Sequence, residues 1–174
     1  PKQNWAVGMS NREYELKGSL DGRRYQDIYA INLRDGSRRL AVKKNRWYFS
    51  SSPDGTHFLY YDDGHFYTYN MTSGRSYKIT RDVPSVFYDQ EDDHNVVKPP
   101  TDEAGWVKDG ESALISDGWD VWNIPVHGGQ GKNLTVNWKQ EAIRLDTRFR
   151  LDPDEKGIDL SPPVYVSAYG EGTQ

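Results

Sequence analysis

The 174-residue sequence predicts an all-β fold made of small antiparallel sheets that follow one another along the chain. A unit of short, β-prone runs occurs three times, and Asp-Gly, Ser-Gly or Gly-Gly pairs, which are hairpin signals, separate the runs. No convincing helical pattern accompanies them, apart from one turn near Val136–Ala142. A repeat of about 40 residues with several short strands is typical of a β-propeller blade. We therefore predict a partial β-propeller with three recognisable blades and parts of one or two more.

The second and third copies of the unit establish the repeat most directly. A shift of 55 positions aligns residues 54–80 with residues 109–135 without a gap. Six identical pairs fall at turn and core positions: Asp54/Asp109, Gly55/Gly110, Leu59/Leu114, Asp62/Asp117, Gly74/Gly129 and Thr80/Thr135. A shift of 38 positions aligns residues 27–36 of the first copy with residues 65–74 of the second. One supersecondary unit therefore recurs along the chain.

Two sets of equivalent positions follow from these shifts. The first set is Tyr29, Tyr67 and Trp122, and the second set is Asp27, His65 and Asp120. A blade buries its faces only against neighbouring blades, so we expect the rings of the first set to pack between blades. The same holds for most aromatic residues of the run 57–69. The second set lies beside turns, and we expect its side chains to hydrogen-bond to the turn backbone, with the two aspartates accepting from N–H groups.

The repeat also suggests how the chain is divided. Units are predicted at about 11–45, 46–80 and 104–136, with a partial unit at 141–174 and an insertion at 81–103. The partial unit opens on "AIRLDTRFRLD", in which apolar and polar residues alternate with the period of a strand. We expect Arg144, Arg148 and Arg150 to lie on a solvated strand face rather than in an anion site. The segment 11–20 is ambiguous.

Composition excludes several classes of function. The net charge is −4, without the basic excess that a nucleic-acid partner requires. The chain has no cysteine, so disulfides and thiolate chemistry are excluded, and no apolar run approaches the length of about 18 residues that indicates a membrane helix. No cofactor is predicted. The first residue is Pro rather than Met, and we expect the chain to be a piece of a longer protein.

A family resemblance is carried by the phrases "SPDG" at 52–55, "DVWNIPVHGG" at 120–129 and "NLT" at 133–135. They resemble the repeat of TolB-like propellers and of the N-terminal propellers of prolyl oligopeptidase-family serine peptidases, including dipeptidyl peptidase and acylaminoacyl-peptidase types. The insertion and the segment "IDLSPPVYVSAYGEGT" are similar to bacterial members of the peptidase group. Because bacterial relatives are often exported, the resemblance implies a periplasmic or secreted protein.

The peptidase resemblance implies a parent chain in which an α/β-hydrolase domain carries a Ser-Asp-His triad. The propeller would cap that domain and admit short peptides, so its partners would be the hydrolase domain and a peptide substrate. No G-x-S-x-G elbow occurs in this sequence, and "HGGQG" at 127–131 occupies a hairpin turn of the repeat, so no catalytic residue is assigned. The alternative is a TolB-like propeller that acts as a protein-binding scaffold. An open arc of blades would also expose aromatic faces, so self-association is expected.

The insertion holds the candidate substrate-binding residues. Glu91, Asp92, Asp93 and His94 follow Asp89 in an acidic cluster. Carboxylates of this kind can hold the amino terminus of a peptide, as propeller acids do in aminopeptidase-type relatives. The alternative is a solvated loop whose acids cap turns or pair with Arg81 or Lys98. The order of residues fits no calcium loop, so no metal site is predicted.

Overall fold

The computed structural model describes residues 3–93, 97–148 and 152–170. Thirteen strands and one short helix occur in this part of the chain. They are β1 (Trp5–Ser10), α1 (Glu15–Asp21), β2 (Gln26–Asn32), β3 (Arg38–Asn45), β4 (Trp47–Ser51), β5 (His57–Asp62), β6 (His65–Asn70), β7 (Arg75–Lys78), β8 (Glu103–Trp106), β9 (Ser112–Ser116), β10 (Val121–Pro125), β11 (Lys132–Asn133), β12 (Ile143–Arg148) and β13 (Val166–Gly170).

These strands form four antiparallel sheets, each built from consecutive strands. The first sheet is β1-β2-β3, the second is β4-β5-β6-β7, the third is β8-β9-β10-β11, and the fourth is the pair β12-β13. The predicted fold class, an all-β partial propeller, is confirmed. The bounds of the predicted repeat units stay predictions, since a sheet need not begin and end where a repeat does.

The hydrogen bonds of the turns recur at the offsets found in the sequence. Met71 N donates to Thr56 O at 2.8 Å, and 55 positions later Val126 N donates to Glu111 O at 3.0 Å. The earlier offset of 38 is repeated in the bonds from Gly36 N and Gly74 N to the asparagine carbonyls four residues before them. Both glycines have a positive φ, which this turn requires. Recurring turn chemistry therefore produces recurring sheets.

The described residues contain one helix, in a segment that the sequence left ambiguous, and only turns near Val136–Ala142. Residues 15–21 form α1, which ends at Gly22 with φ of 64°. It lies in the connection between β1 and β2. The equivalent connection of the second sheet, between β5 and β6, is only the turn Asp63-Gly64. Residues 136–142 form turns rather than a helix, because Val136 and Ala142 both have positive φ, outside the right-handed helical region. An enlarged connection has room for a helix, which the strand repeat cannot reveal.

Aromatic and aliphatic side chains fill the spaces between successive sheets. In β5, Phe58 and Tyr60 face the first sheet, while Leu59 and Tyr61 face the third. The cluster between the second and third sheets contains Tyr61, Phe66, Phe87, Trp106, Ala113, Ile115, Ile124 and Val126, all at most 5% exposed. Alternation along each strand thus gives one sheet two buried faces. The predicted packing of the aromatic run between sheets is confirmed.

Tyr29, Tyr67 and Trp122 occupy equivalent positions in their sheets. All three are half-buried, and each lies in the next-to-last strand of its sheet. Tyr67 packs toward the first sheet and Trp122 toward the second. A cation lies over two of the rings, Arg38 at 5.7 Å from Tyr29 and Lys78 at 5.5 Å from Tyr67. The predicted packing between sheets is therefore confirmed for Tyr67 and Trp122, whereas Tyr29 belongs to none of the clusters between sheets.

Because neighbouring strands are antiparallel, the insertion lies at the same end of the sheets as the two-residue turn after β5 and its equivalent after β9. The turns after β5 and β9 and the connections from β7 to β8 and from β11 to β12 emerge there. A hydrogen bond of 2.6 Å from Ser85 Oγ to Asp117 Oδ2 joins the insertion to the turn after β9. We call this the insertion end. His57 and His127 lie at the opposite end, with ring centroids 6.0 Å apart.

Candidate functional site

A cleft of about 820 Å³ opens at the insertion end, between the third and fourth sheets. The insertion contributes residues 88–91 and 100–102, the third sheet contributes 103–104 and 116–119, and the fourth contributes Arg144, Leu145, Arg148 and Tyr169. Five of the lining residues are acidic and three are basic: Asp89, Glu91, Asp102, Glu103 and Asp117, with Lys139, Arg144 and Arg148. A volume of this size is typical of ligand sites, so the cleft is the candidate site among the described residues.

Asp117 organises the turn that forms one wall of the cleft. Its Oδ1 accepts hydrogen bonds from the backbone N–H groups of Trp119 at 3.0 Å and Asp120 at 2.8 Å. Its Oδ2 accepts from Ser85 Oγ and from Trp122 Nε1 at 2.9 Å. Four donors satisfy this buried carboxylate, and the turn is held in place. The ring of Trp119 is therefore presented on a fixed backbone.

Arg144 lies against that ring. Its Cζ atom is 3.8 Å from the centroid of Trp119, which is a close cation–π contact. Nη1 donates to the carbonyl oxygen of Gly118 at 3.4 Å, and Nη2 pairs with Glu91 Oε1 at 2.6 Å. The side chain of Arg144 is 16% exposed, whereas that of Glu91 is 72% exposed. The cleft thus contains a largely buried guanidinium whose anionic partner reaches in from the insertion.

The carboxyl group of Glu103, another acid of the cleft, has a raised pKa. Burial raises the pKa of its carboxyl group, and the hydrogen bond that Oε2 accepts from Ser50 Oγ at 2.8 Å partly opposes this shift. Ser50 Oγ in turn accepts from Trp106 Nε1 at 2.8 Å. This chain of bonds joins the second sheet to the third. The acid therefore has a structural partner on the sheet opposite the cleft.

The expected solvated stripe of arginines was wrong for the two members that the structure describes. Arg148 Nη1 pairs with Glu155 Oε2 at 3.0 Å, and both side chains are at most 20% exposed. A bulge between Leu145 and Thr147 breaks the alternation of β12, so that Leu145 and Arg148 both line the cleft. The third member, Arg150, lies outside the described residues.

The predicted acidic cluster lies at the rim of the cleft, but its residues have separate roles. Asp89 Oδ1 accepts from the backbone N–H groups of Glu91 at 2.9 Å and Asp92 at 3.2 Å, as expected for a turn cap. Glu91 pairs with Arg144, and Lys98 donates instead to the carbonyl oxygen of Gln90. The alternative that acids of this cluster pair with Arg81 or Lys98 was therefore wrong for Glu91, whose partner is Arg144.

Of the remaining residues in that cluster, Asp92 is half-buried and Asp93 is exposed. His94 lies outside the described residues. That these acids bind a substrate stays a prediction. The described residues contain no group of three or more His, Asp or Glu side chains placed to hold a metal ion. Within the same residues, no helix has the length and apolar character needed to cross a membrane.

The equivalent residues Asp27, His65 and Asp120 each connect the two ends of a hairpin. Asp27 Oδ1 accepts from Lys44 N at 2.8 Å, and Asp120 Oδ1 accepts from Trp138 N at 3.2 Å, so the prediction of backbone donors is confirmed for both. His65 differs, because its Nδ1 lies 3.1 Å from Thr80 Oγ1 rather than from a backbone group. The contact with the threonine hydroxyl is shared by the third copy, in which Thr135 Oγ1 donates to Asp120 Oδ1 at 2.8 Å.

His57 has surroundings that resemble those of a catalytic base, but both of its ring nitrogens are occupied by partners within the fold. Nδ1 of His57 lies 2.7 Å from Thr56 Oγ1, whose hydroxyl donates to Asp54 Oδ2 at 2.6 Å. Nε2 lies 3.0 Å from Asn70 Nδ2, so both ring nitrogens have partners. Burial is the main cause that lowers the pKa of His57. The arrangement ties the turn at residues 52–56 to β6 and β5.

Sequence reasoning missed Trp119 and Arg144 as a pair. Trp119 stands where the second copy has Gly64, and a tryptophan in a turn position that elsewhere takes glycine is a signal for a side chain with a separate task. The partnership with Arg144 has no sequence signal, because the two residues belong to different sheets.

Among known proteins, this chain has similarity to solved structures but not to family models or curated sequences. The sequence matches no family model and no curated protein. Among solved structures, the chain is similar to TolB from Acinetobacter baumannii, with a TM-score of 0.42 and 16% sequence identity. The match covers 84% of this chain and 35% of that protein, so the chain spans about a third of its length.

Proposed function

We propose that this chain is a non-catalytic part of a propeller that serves as a protein-binding scaffold, and that the cleft holds a peptide segment of its partner. The observation that supports this most is the Trp119 and Arg144 pair, a ring and a cation fixed beside each other in an accessible cleft. Aromatic residues and arginine are the side chains that most often dominate binding at protein interfaces. A binding role needs only such fixed contacts.

The lining of the cleft suits an extended peptide. Asp102, Glu103 and the cap residue Asp89 offer acceptors, whereas Lys139 and Arg144 offer donors. A peptide backbone alternates donors and acceptors and can use both kinds. The walls come from two sheets and an insertion that hydrogen bonds hold together, so little ordering would be needed on binding. Partner identity would then depend on which side chain meets Trp119.

Selection from a random peptide library on the immobilised protein tests this function. We expect enriched peptides whose binding is lost when Trp119→Ala removes the ring from the cleft. The matched control is Tyr165→Ala, since Tyr165 is an aromatic residue with 58% exposure that does not line the cleft. Enriched peptides that bind Trp119→Ala as well as the unaltered protein would overturn the proposal, as would an absence of enrichment.

A second candidate function is a propeller segment that gates the access of short peptides to a hydrolase domain. It is motivated by the resemblance, noted in the sequence, of the insertion and of residues 158–173 to bacterial prolyl oligopeptidase-family peptidases. Under this function the cleft would contact a substrate on its way to the hydrolase site. The gene is informative here: a G-x-S-x-G motif followed by Asp and His in the same reading frame supports gating, and a different companion domain supports the scaffold.

A further inference from the structure

We infer that the cleft recognises a carboxylate group of its peptide partner at Arg144, and that Glu91 occupies this place when no partner is bound. The inference rests on the proposed function and adds the chemical class of the group that is recognised. Three features carry it: the preorganised guanidinium, the exposed position of its internal anion, and the charges around both.

Arg144 is prepared for an anion before any ligand arrives. Its guanidinium is held between the ring of Trp119 and the carbonyl oxygen of Gly118. A side chain that is 16% exposed has lost most of its contact with water, and a charge in that position needs an anionic partner. A planar guanidinium binds a carboxylate through two parallel hydrogen bonds when the geometry allows.

Glu91 supplies that anion through a contact that can break and form again. It contacts Nη2 through Oε1, and its side chain remains 72% exposed. The backbone of the loop is fixed separately, because Asp89 caps it and Tyr88 pairs with Pro100. The carboxylate can therefore swing into solvent without unfolding the loop. Because Glu91 keeps most of its contact with water, it loses little when it leaves Arg144, provided that a ligand carboxylate takes its place.

The surrounding charges favour a singly charged anion over other ligands. Asp102, Glu103 and Asp117 line the same cleft and would repel a phosphate dianion. Of these acids, Asp117 already accepts four hydrogen bonds and has no acceptor position left for a cationic ligand. A carboxylate beside Arg144 is the group that gains most. It can be a peptide's C-terminus or the side chain of Asp or Glu.

Titrations followed by ¹H–¹⁵N NMR of the tryptophan indole groups test the inference. The probes are acetyl-tetraalanine with a free carboxylate, the same peptide as its carboxamide, and an amidated peptide with one central glutamate. Trp119→Phe assigns the indole signal of Trp119. We expect the free carboxylate or the glutamate peptide to shift this signal and the carboxamide to leave it unchanged. Comparison of the first and third probes distinguishes a C-terminus from a side chain.

Removing the internal anion should strengthen the binding of the carboxylate probe. We expect Glu91→Gln to lower its dissociation constant by about fivefold, as the loss of a competing pair of about 1 kcal/mol requires. Asp82→Asn is the matched control, because Asp82 is an exposed acid of the same insertion that does not line the cleft, and little change is expected. Arg144→Lys keeps the charge and loses the planar fork, so it should weaken binding.

Two results would overturn the inference. One is equal binding of the carboxylate and carboxamide probes, and the other is unchanged or weaker binding of the carboxylate probe by Glu91→Gln. Either can occur while library peptides still depend on Trp119, in which case the scaffold function stands and the carboxylate is not its recognised group. Conversely, carboxylate binding at Arg144 without any enriched library peptide would retain the anion site and overturn the scaffold.

Discussion

The two faces of the third sheet are packed in different ways. Toward the second sheet it buries a continuous cluster in which Ile115 and Ile124 have no exposed surface. Toward the fourth sheet it buries a smaller cluster of Leu114, Val121 and Ile158, and the space beside that cluster is the polar cleft. We call the first the closed interface and the second the open interface.

The difference shows how one repeat can serve both stability and binding. The β12–β13 pair has two strands where the second sheet has four. A smaller neighbour covers less of the face and leaves room at the insertion end. Apolar area buried in the closed interface contributes about 25 cal/mol per Å² to stability, whereas fixed polar groups in the open interface are available to a ligand.

The largest effect on the free energy of unfolding is expected from truncating one matched side chain in each interface. Ile124→Ala in the closed interface and Leu145→Ala in the open one remove the same number of carbon atoms. Ile124 is fully buried and Leu145 half-buried, so we expect losses of about 2–5 and about 1 kcal/mol in the free energy of unfolding. Urea denaturation measures both. Equal losses would mean that the two interfaces contribute alike to stability, against our description.

A smaller effect is expected from the hydrogen bond that crosses the closed interface. Thr68 is fully buried, and its Oγ1 donates to the carbonyl oxygen of Val126 on the third sheet. Thr68→Val keeps the shape and leaves that acceptor without its donor, so we expect a loss of about 1–3 kcal/mol. Thr72→Val, at an exposed turn residue, is the control. A loss no greater than that of the control would show that the bond adds nothing to sheet packing.

Acid should weaken the closed interface at the end opposite the cleft. Burial lowers the pKa of His57 from 6.5, so the unfolded chain binds the proton more tightly than the folded chain. The stability from the neutral ring is present above pH 6.5 and is lost as the pH falls below that value. His127, Asp54 and Glu111 are the titratable neighbours that face it. We expect His57→Gln to flatten this part of a plot of unfolding free energy against pH.

The smallest effect concerns Glu103, where the two interfaces meet. Burial raises the pKa of this carboxyl from 4.5, so its contribution to stability is present below pH 4.5 and is lost as the pH rises. Glu103→Gln keeps an acceptor for Ser50 and removes the buried charge. We expect a gain within about 0.5 kcal/mol at pH 7 and none at pH 4, measured by denaturation at both values. A clear loss at pH 7 would show that the ionised form stabilises the fold.

The fold could be predicted because its information is local and repeated. Turns at Asp54-Gly55 and Asp109-Gly110 and the strands after them recur at constant offsets, so weak signals reinforce one another. The helix α1 could not be predicted, because one pair of leucines at helical spacing, Leu16 and Leu20, is too short to establish a period, and Gly18 between them disfavours a helix. It depends on an enlarged connection rather than on amphipathic periodicity.

The candidate site was predicted only in part. The acidic insertion stood out from the repeat, and Glu91 does reach the cleft. Its partner, Arg144, lies 53 positions along the chain, in a strand whose alternation predicted a solvated side chain. The bulge in β12 changed which side chains enter the cleft. A one-residue irregularity of this kind depends on pairing with β13 and leaves no mark in the period of the sequence.

The amino-acid sequence alone determined the class of fold and the succession of small antiparallel sheets along the chain, because alternation and turn chemistry act between residues close in the chain. Tertiary structure alone decided that the open interface contains a cleft and that Arg144 meets Trp119 and Glu91 within it. The physical reason is that these contacts join the insertion, the third sheet and the fourth sheet, and packing between distant segments brings such groups within hydrogen-bond distance.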